Sequence, residues 1–242
     1  MTTVATAVVK QTDRSFYMGM AMAAVATIFV GFARTFFLRG YMALPAGQAD
    51  LSPLLLTHGV VATTWIVLFA IQTSLISVRQ VSLHRRLGLV GGAVAIVMVA
   101  VGILTAVDAL RRGVAPFGID PRNWVLFPLA GIISYAGLVT TALVLRQRPQ
   151  SHKRLMLLAT IGLLNPALGR LAAPLATNLF GFMALAAGLT DLFLLAVVFR
   201  DLQTRGHVSR AVLWGGLTVF AVPFVLVLSG TSAWLAFADR LL

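Results

Sequence analysis

Few side chains in this 242-residue chain can do chemistry, and their types narrow it quickly. Cysteine and glutamate are both absent, which removes thiolate metal sites, iron–sulfur clusters, disulfides and cysteine nucleophiles. No glycine-rich phosphate loop, HExxH or GxSxG segment occurs, so soluble-type nucleotide and hydrolase chemistry is disfavoured. The histidines carry most of what is left. His84 and His152 each follow a short basic loop and open an apolar run. Two neutral imidazoles on neighbouring helices are the axial pair that a six-coordinate b-type haem uses. Met156, one turn beyond His152, would line such a pocket, and Arg85, Arg86, Lys153 and Arg154 would neutralise the propionates. Histidines among arginines equally cap helices or touch lipid phosphates, so both readings stand.

The other candidates lie along and around one stripe. His58, Trp65, Gln72 and Arg79 recur every seven residues, a drift of only about 20° per step on an α-helix. Polar groups are costly to leave in hydrocarbon, so this stripe should face other helices or a cavity. His58 lies about 39 Å of helical path from His84, too far to share one ligand with it. It joins Arg170 and Asn165 in an outer polar pocket, takes a quinone-like headgroup, or simply bonds a neighbouring helix. Arg170 is either an anion or carbonyl clamp facing His58 or a side chain snorkelling outward. Asp191 is the one acid well inside an apolar run, which makes it a functional candidate by default. It pairs with an arginine, relays protons, or stays neutral and bonded to a helix. His207, beside Gly206, reads as a solvated loop residue.

The elements that must position these groups are membrane helices. The chain is 59% apolar and 11% charged, with mean hydropathy +0.94, where soluble domains carry about 25% charged residues. The sequence therefore reads as an all-α integral membrane protein, a seven-helix bundle with spans near 16–38, 54–78, 87–107, 124–146, 154–173, 177–199 and 211–237. Residues 1–15 form a polar cytoplasmic tail without a convincing cleavage site, and 16–242 a single membrane domain. Lys10 and Lys153 lie outside the apolar centres, so no lysine is placed for a mid-membrane retinal Schiff base. The net charge of +12 sits mostly between apolar runs, which fits contact with anionic lipids and not with nucleic acid. A loop around Pro45-Ala46-Gly47 leads into the second helix, with Ser52 as its cap and Pro53 at its first position. Gly19, Ala23, Thr27 and Gly31 mark a small-residue face, and Gly88 with Gly92 forms a GxxxG pair. The Leu164-Asn165-Pro166 step should disturb the fifth helix, because proline lacks an N–H.

Twelve of the nineteen lysines and arginines fall in the N-terminal segment and the loops after even-numbered helices. Positive-inside then puts the N-terminus in the cytoplasm and the C-terminus outside. Two of those loops repeat. Arg79-Gln80 precedes His84-Arg85-Arg86-Leu87, and Arg146-Gln147 precedes His152-Lys153-Arg154-Leu155. Helices 2–3 and 4–5 therefore read as repeated hairpins in one orientation, with Arg200, His207 and Arg210 as a looser third copy.

Taken together, His58, Gln72, Arg79, His84-Arg85-x-Leu87-Gly88, Trp124, His152-x-x-x-Met156 and Arg170 resemble a bacterial family of polytopic membrane proteins, over about residues 54–172. That family has a histidine early in one helix, then a His-Arg-x-x-Gly segment and a His-Arg-x-x-Met segment. Lys153 stands here in place of the second arginine. The resemblance implies a bacterial inner-membrane protein and no particular activity. More distantly, histidines opening helices 3 and 5 look like one half of transmembrane di-haem b cytochromes, which implies haem ligation. The second histidine pair of those cytochromes, on which a trans-membrane electron path depends, is missing. Three functions are therefore expected in competition. They are b-haem or quinone-linked electron transfer, a non-catalytic subunit or assembly factor of a larger membrane complex, and proton-coupled transport of a small solute through Asp191 and Arg170.

Overall fold

The computed structural model describes residues 2–44 and 50–242, with side chains described from residue 12 onward. Among the described residues, seven helices are long and apolar enough to cross a membrane, as the hydropathy pattern anticipates, so the chain is a multi-pass membrane protein. The first span is α1 (Thr2–Phe32) continued by a π-helical turn, Ala33–Phe37. Spans two and three are α2 (Pro53–Ser77) and α3 (Val81–Arg111). The fourth is a short α4 (Pro121–Trp124) leading into α5 (Leu126–Val144). The fifth combines α6 (Pro149–Gly162) and α7 (Asn165–Ala172). The last two are α8 (Leu179–Arg205) and α9 (Arg210–Ala221), after which come a 3₁₀ stretch, Val222–Leu228, and α10 (Ser232–Asp239).

Several ends differ from the sequence reading for local reasons. The first helix reaches back to Thr2, so the polar segment expected as a tail continues the helix. Arg79 takes a left-handed conformation (φ 63°), which turns the chain within three residues and starts α3 at Val81. The basic His84-Arg85-Arg86 segment is therefore already helical. Pro149 opens α6 at its first position, ahead of the expected start at 154. The seventh span does not run unbroken to 237. Pro223 tightens it to 3₁₀ geometry, and α10 begins separately after Thr231. Ser52 caps α2 as anticipated, its Oγ accepting from Leu55 N–H at 3.2 Å. Pro45-Ala46-Gly47 lie outside the described residues.

The fifth span is the strut of the bundle. It packs against α1, α5, α8 and α9, and 61% of its apolar window is buried, against 17–28% for the other six. The break expected from Pro166 falls at Leu163–Leu164, where α6 stops and α7 resumes. The α1 face that meets this strut is Ala21, Ala24 and Ile28 with Gly31, and Gly19 is exposed. At Gly31 a Cβ would lie 2.7 Å from Ala167, so glycine is required for that approach. The GxxxG pair does not behave this way. A Cβ on Gly92 would meet nothing within 4 Å, and one on Gly88 only Gln72 at 3.9 Å. At the far end α10 latches onto α4: Trp234 Nε1 donates to the Arg122 carbonyl at 2.7 Å, and Arg122 also pairs with Asp239 and Asp120.

Candidate functional site

His84 and His152 occupy the same place in two helices. Each is the fourth residue of its helix, and each backbone N–H donates at 3.0 Å to the carbonyl of the residue before the helix, Gln80 and Arg148 respectively. Because α2 packs along α3 and α5 along α6, with α3 beside α5, the two first turns converge at one end of the bundle. The imidazoles meet edge to face, with centroids 6.4 Å apart and planes at 81°.

The two rings are held differently. His152 Nδ1 lies 2.8 Å from the Ala142 carbonyl oxygen near the end of α5. A carbonyl only accepts, so Nδ1 carries the hydrogen and a neutral His152 presents a bare Nε2. That bond also satisfies a carbonyl in the last turn of α5, a capping role that exists whatever else the ring does. His84 Nδ1 is buried and has no hydrogen-bond partner among the described residues. Neither does the side-chain oxygen of Gln72, whose amide nitrogen lies beside Gly88 one turn further along α3.

The remaining members of the expected haem pocket separate. Arg85 is exposed and free of ion pairs among the described residues. Arg154 is not available for a propionate, contrary to expectation. It is 3% exposed and bound to Asp201, itself 1% exposed, through Nε at 2.7 Å and through a terminal nitrogen. Its other terminal nitrogen donates to the backbone and side-chain oxygens of Gln150, both at 2.8 Å. Asp201 in turn accepts from Ser209 N–H at 2.9 Å. This network ties α6 to α8 and α9, and burial explains it: a lone guanidinium inside the bundle would be far costlier than a paired one. Lys153 pairs with Asp13, which also meets Arg200 at 3.4 Å, and joins α1 to α6 and α8. Met156 is half-buried against the core, and its carbonyl accepts from Thr160 at 2.9 Å.

The donor set bears on what the histidine pair can hold. Among the described residues no third histidine or aspartate joins it. A bare metal ion would lack ligands there, whereas a porphyrin supplies four and needs two. The pair offers the two imidazole donors such a group would need, and of the nearby basic residues Arg85 and Arg86 are exposed and free of ion pairs among the described residues, whereas Lys153 and Arg154 are paired.

The other sites lie elsewhere. At the opposite end, Arg170 is within electrostatic reach of His58. Its guanidinium stacks 4.1 Å over Phe32, and a terminal nitrogen donates to Pro166 O at 3.0 Å. Asn165 turns away, its side-chain nitrogen 3.5 Å from Thr190 on α8. His58 Nδ1 is buried without a hydrogen-bond partner among the described residues, beside Gly59, where a Cβ would lie 2.3 Å from the Phe36 ring of the π-turn. Asp191 is half-buried, and it is the one aspartate that no ion pair reaches among the described residues. His207 is exposed in its loop.

Sequence reasoning missed two features of this interior. The Arg154–Asp201 pair joins residues 47 apart and carries no local signal. Tyr135 left only one, a hydroxyl beside that of Ser134 in the otherwise apolar run Gly131–Leu138. Its ring meets Trp65 edge to face at 5.1 Å. Compared with known proteins, the chain matches no family model, no curated sequence and no solved structure.

Proposed function

We propose that this is a redox protein of the bacterial cytoplasmic membrane that carries one b-type haem near its basic, cytoplasmic end, with His84 and His152 as axial ligands. One observation carries the reading: two imidazoles from equivalent first turns of α3 and α6 meet with ring centres 6.4 Å apart, and no third histidine or aspartate joins them among the described residues. A bound haem would supply one-electron chemistry; the chain would supply the ligands and one orienting bond. That bond is His152 Nδ1–H to Ala142 O, which fixes the ring and leaves Nε2 to coordinate. Arg85 and Arg86, both exposed, are the remaining counter-charges for the propionates.

The test is the absorbance of protein purified from haem-sufficient cells, oxidised and dithionite-reduced. A Soret band with sharp reduced α and β bands is expected, and both His84→Ala and His152→Ala should abolish or convert it while the protein remains folded. Wild-type protein with no Soret band would overturn the reading.

A second reading, a non-catalytic subunit of a larger membrane complex, is favoured by Asp191. A carboxyl inside a span, with no ion-pair partner among the described residues, suits a basic residue on a neighbouring subunit. Stable co-purification abolished by Asp191→Asn would support it over the haem reading.

A further inference from the structure

His84 and His152 open equivalent helices, yet only one of the two rings is anchored. His152 Nδ1 reaches Ala142 O at 2.8 Å, whereas His84 Nδ1 is buried with no hydrogen-bond partner among the described residues. The ends of the preceding helices explain the difference. At the end of α2 the left-handed Arg79 closes a Schellman motif, in which Gln80 N–H donates to Leu75 O at 2.8 Å and Arg79 N–H to Ile76 O at 3.2 Å. Val78 N–H donates to Ser74 O at 2.9 Å. The carbonyls of Ser74, Leu75 and Ile76 are therefore all occupied. α5 ends without a left-handed residue. Its closing N–H groups go to Thr141, Leu143 and Leu145, which leaves Ala142 O for His152. On the α2 side a side chain stands where that free carbonyl is missing. The Gln72 amide nitrogen is 3.9 Å from where a Cβ on Gly88 would sit, one turn beyond His84 along α3. The His84 ring in turn lies against the Gln72 backbone. Gln72 Oε1 is buried and, like His84 Nδ1, has no partner among the described residues.

We infer that Gln72 is the positioning residue of His84: its Oε1 accepts from His84 Nδ1–H and fixes the ring with Nε2 free to coordinate. The inference rests on the haem reading for its purpose, while the hydrogen bond itself needs no haem. An imidazole that ligates through Nε2 carries its hydrogen on Nδ1, and that hydrogen needs an acceptor. Buried polar groups are nearly always satisfied. Here one of the two orphans can donate and the other only accepts, and they belong to helices packed on each other. The last torsion of a glutamine is broad and two-fold, so turning the amide toward His84 costs little. Gly88, with no side chain, leaves the amide that freedom. The two ligands would then be oriented by different means, His152 by a backbone carbonyl and His84 by a side chain that a substitution can remove. An imidazole made more basic by such a bond holds its metal more tightly.

The experiment has a haem-free and a haem-loaded arm, both on the full chain in detergent micelles. In the first, the imidazole nitrogens of isotope-labelled histidine are read by long-range proton–nitrogen correlation at about pH 8, where unperturbed imidazoles are neutral. His84→Gln and His152→Gln assign the signals. Both rings are expected as Nδ1–H tautomers. Gln72→Leu should turn His84 into a mixture of tautomers and leave His152 unchanged, and Gln72→Glu, which keeps an acceptor, should preserve the Nδ1–H form. In the second arm, transfer of haem to an excess of a haem-scavenging apoprotein is timed. It should be about 10- to 100-fold faster for Gln72→Leu and no faster than wild type for Gln72→Glu. Wild-type His84 in the Nε2–H tautomer would overturn the inference without any variant. So would an Nδ1–H His84 that persists in Gln72→Leu, because the acceptor would then be the backbone carbonyl of residue 72. Protein that shows no Soret band, yet whose His84 tautomer follows residue 72, would remove the haem reading and leave the hydrogen bond standing.

Discussion

Replacing Arg154 with methionine isolates the contribution of the buried charge network. The substitution removes four donor contacts, two to Asp201 and two to Gln150, while nearly preserving side-chain volume. Asp201 is then left 1% exposed with one remaining partner, the Ser209 N–H. Removing one member of a buried pair typically costs about 3–5 kcal/mol, because the other is left uncompensated. The surviving backbone bond places the expected loss near the lower end, about 3 kcal/mol, or about 6–12 °C in thermal midpoint for a chain of this size. The assay is thermal unfolding in one detergent for wild type, Arg154→Met, Asp201→Asn and the double variant. The double variant should lose less than the sum of the singles, since it leaves neither charge behind. A drop under 2 °C for Arg154→Met, or strict additivity, would refute the assignment. So would a variant of normal stability that had lost its Soret band, because Arg154 would then be serving the histidine pair.

Other outcomes follow from the same packing. Gly31→Val drives a side chain into the Ala167 backbone and should cost about 1–3 kcal/mol, whereas Gly19→Ala should be neutral or slightly stabilising by the same thermal assay. Asp191→Asn, at a carboxyl with no ion-pair partner among the described residues, should change stability by no more than about 0.5 kcal/mol, beside a clear loss for Asp201→Asn. If solute uptake were found, insensitivity to Asp191→Asn would remove proton-coupled transport. At the α10 latch, Arg122 holds the Asp120 carboxyl below the usual carboxylate range by hydrogen bonds from its side chain and backbone. The folded value being the lower, this contribution is complete above about pH 4 and fades as pH falls through the depressed value. Acrylamide quenching of Trp234 should therefore be flat between pH 5 and 8 and rise only in strong acid.

Much of this was legible from residue types alone, because a membrane span is a composition as much as a shape. The seven spans, the Ser52-Pro53 start of α2, the Pro166 break and the shared level of His84 and His152 all rest on local chemistry. The errors have physical causes as well. Basic residues were treated as loop formers, yet His84 and Arg85 are helical because the left-handed Arg79 completes the turn before them. Small residues were treated as contact faces, but which face of α1 is buried depends on where α7 lies. Arg154 looked like a free cation because its counter-ion is 47 residues distant. Trp65 was placed in the interior by its spacing from His58, while its contact with Tyr135 became visible only with α5 beside it.

The strut formed by α6 and α7 has a consequence for biogenesis. It has the lowest mean hydropathy of the seven spans, 1.5, and yet is the most buried. A segment of that kind partitions into lipid weakly on its own, since arginine in a span costs up to about 3 kcal/mol and Arg154 and Arg170 both belong to it. It should enter the bilayer as a hairpin with the more apolar α5, to which a four-residue turn joins it. Asp201 is not yet made at that moment. At about 5–20 residues per second, Arg154 waits several seconds for its partner, its charge held toward the headgroups by the short length of α6 that precedes it. The buried ion pair is thus also a timing element: the strut can settle at full depth only once α8 has been delivered.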